Sequence, residues 1–68
     1  MNSDQEILLN FATKVKELRI AKGVTQQDAF NDTGIHFGRI EQGKRDVSLT
    51  TLVRLADYLA VSLNDLVG

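Results

Sequence analysis

Residues 38–45, Gly-Arg-Ile-Glu-Gln-Gly-Lys-Arg, come within one residue type of a phosphate-binding loop. That loop needs a hydroxyl after its lysine, to reach magnesium, and a preceding apolar strand. Arg45 stands where the hydroxyl must be, and no apolar strand precedes Gly38, so the match is fortuitous. His36 is the only histidine and the chain has no cysteine, which leaves no zinc set, no thiolate nucleophile and no disulfide. His36 then reads as a surface or interface imidazole. Asp28, Asp32 and Glu41 read as cap and surface carboxylates rather than as an acid/base pair. Neither an enzyme nor a cofactor or metal is expected.

The chemistry that the residues do suggest is recognition of a polyanion. Residues 25–45, TQQDAFNDTGIHFGRIEQGKR, hold a short helix opening Thr-Gln-Gln, a tight turn, and a second helix ending Ile-Glu-x-Gly before two cations. This order suits a helix-turn-helix. A recognition helix needs a cap at its start, an apolar pair inward and groups outward that meet base edges. It needs cations just past its end, where phosphates run, and Lys44 and Arg45 stand there. Gln26 and Gln27 open the first helix, where a side-chain amide and free backbone N–H groups meet a phosphate.

Charge is arranged to match. The formal net charge is −1, yet its sign changes along the chain. Residues 14–45 carry Lys14, Lys16, Arg19, Lys22, Arg39, Lys44 and Arg45 against Glu17, Asp28, Asp32 and Glu41, a surplus of +3. The segments on either side each carry −2. A polyanion sees the basic middle, while the acidic flanks weaken binding elsewhere. Lys14, Lys16, Arg19 and Lys22 fit two readings, flanking DNA or a solvated helix face. Arg54 reads as solvated or ion-paired.

The elements that position these groups are five helices and no strand. The 68 residues suit one domain, 1–68, with 43% hydrophobic and 25% charged residues. Ser3, Thr25, Thr33, Ser48 and Ser62 are N-cap candidates, with Glu6 and Asp65 three residues after Ser3 and Ser62. Breaks are expected near Gly23, residues 31–34, Gly43 and residues 60–62. Phe11, Val15, Leu18, Phe30, Phe37, Ile40, Leu52, Leu55, Leu59 and Leu66 form the expected core, with Tyr58 bridging core and surface. No apolar run approaches the ~20 residues needed to span a bilayer. The first residues lack a signal-peptide pattern, so a cytoplasmic, nucleoid-associated protein is expected.

KELRIAKGVTQ, RIEQGKR and SLTTLVRLADYLAVSLNDLV together resemble the phage-repressor, Cro and Xre-type helix-turn-helix regulators of bacteria and their phages. The resemblance covers about residues 11–67. It implies an all-α, five-helix, lambda-repressor-like domain that binds double-stranded operator DNA, usually as a homodimer, with no cofactor. Leu63, Leu66 and Val67 offer more apolar positions than docking a two-turn helix requires, so the dimer interface is expected there. The leading reading is a small repressor that regulates transcription. The alternative is an antitoxin or other protein-interaction module on the same fold, with a toxin as partner.

One departure from the family bears on the site. Between Thr25 and Ile40-Glu41 the family has about three more residues, nearly one helical turn. In a first placement the first helix of the motif is short and Thr33 caps the second, with Phe37 and Ile40 inward. Ile35, Gly38, Arg39 and Gln42 then form one outward stripe, with Ile35 on a thymine methyl and Arg39 on guanine or phosphate. In a second placement Ile35 is a buried turn residue and the second helix loses its first turn. The first keeps the cap and the inward pair intact and is the expectation. Gly38 admits either close approach of the backbone to DNA or tight packing between the helices.

Overall fold

A computed structural model describes residues 3–68. Within them the chain forms α1 (Asp4–Lys22), α2 (Gln26–Thr33), α3 (Phe37–Ile40), α4 (Leu49–Leu59) and α5 (Leu63–Val67), with no strand among the described residues. The all-helical expectation holds. α1 packs on α4 and α5, and α2 packs on α3.

Serine and threonine start four of the helices. The Ser3, Thr25, Ser48 and Ser62 side chains each accept from the backbone N–H three residues on, at Glu6, Asp28, Thr51 and Asp65. This satisfies one of the donors that a helix start leaves free. Thr25/Asp28 and Ser62/Asp65 are full capping boxes, with the aspartate accepting in return from the cap residue's N–H at 3.1 Å and 3.0 Å. Glu6 instead accepts from the Ser3 hydroxyl at 3.3 Å.

The core gathers Phe11 and Val15 of α1, Ala29 of α2, Phe37 of α3, Leu55, Ala56 and Leu59 of α4 and Leu66 of α5, together with Ile35. Phe37, Leu55 and Val15 are its largest fully buried side chains. Leu18, Ile40, Leu52 and Tyr58 are half-buried against it, whereas Phe30, expected in the core, is half-buried outside it.

The turn between α2 and α3 overturns the first placement. α2 is not shortened: it runs two full turns to Thr33 and closes on Gly34 at φ 75°, whose N–H donates to the Phe30 carbonyl. Glycine takes this left-handed conformation without the penalty other residues meet. Thr33 therefore caps nothing ahead of it. Its hydroxyl donates back to the Ala29 carbonyl at 2.7 Å and accepts from the Ile35 N–H at 3.0 Å. The break falls at residues 34–36, and Ile35 is buried at 7% exposure. Burying that side chain is worth about 1.5–3 kcal/mol, which the first placement would forfeit. The missing turn is taken from α3, whose start at His36 has no side-chain cap.

Candidate nucleic-acid interface

Two polar networks fix α2 and α3 relative to the rest of the molecule. At the N-terminal end of α2, Glu41 just past α3 accepts from Arg19 Nε at 2.7 Å, Arg19 Nη2 at 3.0 Å and Gln26 Nε2 at 3.2 Å. Arg19 Nη1 donates to the Val24 carbonyl at 2.8 Å. The Arg19 and Glu41 side chains are only 11% and 4% exposed. The hydrogen bond with Glu41 holds the Arg19 guanidinium above its ordinary pKa, against the opposing effect of burial. Arg19 neither flanks DNA nor lies on a solvated face; it ties α1 to the end of α3.

At the other end of α2, α4 supplies the clamp. Arg54 donates to the Thr33 carbonyl. Tyr58 donates its hydroxyl to Asp32 at 2.6 Å, and its phenol is pushed up to about 12, first by that hydrogen bond. Lys22 sits 4.8 Å above the Tyr58 ring, a cation–π contact. Tyr58 also meets the buried Phe37 ring edge-on at 6.0 Å.

Between α2 and α3 a cleft of about 760 Å³ opens to solvent. Gln26 and Gln27 come from α2, His36 from the turn, and Gly38, Arg39 and Gln42 from α3 and its end. Six of the sequence-predicted residues therefore meet on one surface. Its polar wall holds amides, an imidazole and one guanidinium, and no carboxylate lines it. Gln27 is steadied by donating to Asn31 at 3.0 Å. His36 is exposed and stacks on Phe30, with ring centroids 4.7 Å apart at 29°. Lys44 and Arg45 follow α3 and are exposed.

Ile35 is in the core, so of the expected outward stripe Arg39 and Gln42 are the exposed members, and no thymine contact falls to Ile35. Thr33 is half-buried at the end of α2, away from any cap on α3. Leu66, at 3% exposure, docks α5 into the core and cannot face a second subunit, whereas Leu63 and Val67 are 40% and 61% exposed. Gly38 packs against α2: a Cβ there would lie 3.3 Å from Gln26 Oε1.

Sequence reading missed the Phe30 platform under His36 and the Glu41 hub. Phe30 read as plain core, although the two rings are close in sequence and separated only by the turn. Arg19 and Glu41 are 22 positions apart, and no local pattern pairs them.

A family model described as helix-turn-helix matches residues 15–66. The chain belongs to the Xre and lambda-repressor type of helix-turn-helix protein. No curated protein and no solved structure matches it. In this helix-turn-helix regulator α2 and α3 are the motif, and DNA is what the domain binds. α3, the second helix of the motif, is a single turn that continues as turns to Gly43. No helix among the described residues is long and apolar enough to cross a membrane.

Proposed function

We propose that this helix-turn-helix protein is a repressor that occupies an operator as a homodimer, acting on the nucleoid in the cytoplasm by binding rather than by catalysis. The observation that carries the reading is the carboxylate-free cleft that unites Gln26, Gln27, His36, Arg39 and Gln42. In this reading Arg39 and Gln42 meet base edges, and Lys44 and Arg45 meet phosphates. A one-turn α3 reaches few base pairs, so affinity rests heavily on the phosphate contacts. Gln26 holds α3 in place through Glu41, with the α2 N-terminus behind it facing the backbone.

The test is selection of a preferred duplex from a random pool, with binding then measured across salt. Arg39→Ala is expected to lose about 1–3 kcal/mol on the selected duplex and much less on random DNA. Lys44→Ala is expected to weaken both alike and lower the salt slope by about one unit. Equal losses on both duplexes for Arg39→Ala would make it a phosphate contact and remove the base-reading role.

A further inference from the structure

Phe30 is a large apolar side chain with no place in the core. It is half-buried, yet it belongs neither to the core nor to the hydrophobic residues packed against it. Its neighbour is His36, whose ring centroid lies 4.7 Å away with 29° between the planes. His36 is itself exposed, and both residues line the cleft between α2 and α3. The third aromatic ring on that wall, Phe37, is fully buried and leaves the cleft no surface. The stacked pair is therefore the cleft's ring surface, set among amides and one guanidinium.

The pair stands where it does because α3 is short. α3 begins at Phe37, and His36 before it makes no side-chain cap hydrogen bond. Where a longer second helix would place its first turn, this chain sets an imidazole on a phenyl ring. Two of the surrounding amides are already engaged, Gln26 with Glu41 and Gln27 with Asn31. Amides and guanidiniums read the polar groups of the major groove, whereas ring carbons suit its one apolar group, the C5-methyl of thymine. In a duplex the bases stay stacked, so a ring meets that methyl and not a base face. We propose that the Phe30–His36 stack is a specificity element that reads thymine methyl groups in the major groove. The proposal rests on the DNA-binding reading and deepens it. Bases are then discriminated by hydrogen bonds at Arg39 and Gln42 and by an apolar contact that α2 supplies through Phe30.

The experiment uses the duplex selected from a random pool, prepared once with thymine and once with uracil in its place, which removes only the methyl group. Both forms are titrated with the wild type, Phe30→Ser, Phe30→Leu and His36→Ala, and thermal melts confirm folding. The wild type is expected to bind the thymine form about fourfold tighter per contacted methyl, which is the ~0.8 kcal/mol of one buried methyl-sized group. Phe30→Ser is expected to bind the two forms alike, and Phe30→Leu to keep the preference through its own methyl groups. His36→Ala is expected to lose part of the preference along with the stack. A merely structural role for Phe30 would weaken both forms equally and leave their ratio unchanged. Equal wild-type affinity for the two forms overturns the proposal, as does a preference that survives Phe30→Ser at full size. Should Phe30→Ser unfold, His36→Ala decides by the same ratio, because His36 is exposed and its loss spares the core; a ratio equal to that of the wild type then overturns the proposal. A wild type that selects no duplex at all removes the DNA-binding reading itself, and this proposal with it.

Discussion

Arg19 and Glu41 form a two-pronged ion pair, Nε to Oε2 at 2.7 Å and Nη2 to Oε1 at 3.0 Å, that joins the last turn of α1 to the residue just past α3. Glu41 shares Oε1 with Gln26, so a single carboxylate sets α1, α2 and α3 relative to one another. Both side chains are nearly out of water, and removal of either partner strands a charge. Glu41→Ala is expected to cost about 3–5 kcal/mol in denaturant unfolding. The double replacement Arg19→Met with Glu41→Leu is expected to lie closer to the wild type than either single change, because no buried charge is left unpaired. A double mutant as unstable as the sum of the singles would show that the pair contributes nothing to this junction as a unit.

Ile35 and Phe37 are both core residues, on either side of an exposed His36. Ile35→Ala is expected to cost about 2–5 kcal/mol and Phe37→Ala about 3–5 kcal/mol, both as large-to-small core changes. Thermal melts measure both. If Ile35→Ala melted like the wild type yet changed base preference, Ile35 would belong on the DNA side.

The helices were legible because their starts are local. Ser3, Thr25, Ser48 and Ser62 each act within one turn of themselves, and the apolar spacing of α4 needs no partner to be read. The boundary between α2 and α3 was misplaced because threonine has two local uses. Thr33 reads equally as a cap on the next helix or as a last helical residue bonding back to Ala29. Gly34 decides between them, since a glycine just past a helix closes it in the left-handed conformation. Arg39 and Gln42 were found on the cleft because i, i+3 spacing survives an error at the helix start. Ile35 was lost for the converse reason: the turn, not the helix, fixes where it points. Arg19–Glu41, Tyr58–Asp32 and Arg54–Thr33 join residues 21 to 26 positions apart, and only the packing of helices brings them together.

Stability should be flat near neutrality and fall at both ends of the pH scale. The Thr25 backbone N–H, then its side chain, holds the Asp28 carboxyl below the usual carboxylate range. The Ser62 backbone and side chain do the same for Asp65, helped by the charge of Lys14. A carboxyl lowered on folding contributes stability above its unfolded pKa of about 4 and loses it as pH falls through the folded value. Tyr58, raised to about 12 by Asp32, contributes fully below its unfolded pKa and loses that contribution as pH rises through the folded one. In thermal melts, Asp28→Asn with Asp65→Asn is expected to lower the neutral plateau and flatten the acid limb. Tyr58→Phe is expected to leave the acid limb alone. An acid limb as steep in the double variant as in the wild type would remove the capping boxes as its source.

The homodimer reading now separates residues that sequence alone grouped. On α5, Leu63 and Val67 are exposed, while Leu66 between them is held in the core. An interface through this helix must therefore use Leu63 and Val67, with Leu66 anchoring the helix from beneath. Leu63→Asp combined with Val67→Asp places two charges on the exposed positions and none in the core. That variant is expected to melt near the wild type but sediment as a monomer where the wild type sediments as a dimer. Its affinity for a duplex carrying two half-sites about 34 Å apart should fall, while its affinity for a single half-site stays the same. Leu66→Ala is expected to behave differently, losing about 2–5 kcal/mol of folding stability. A wild type that sediments as a monomer at high concentration, with and without DNA, would remove the dimer. A double variant that stays dimeric would move the interface off α5, toward other exposed apolar positions such as Leu49 and Val53 of α4.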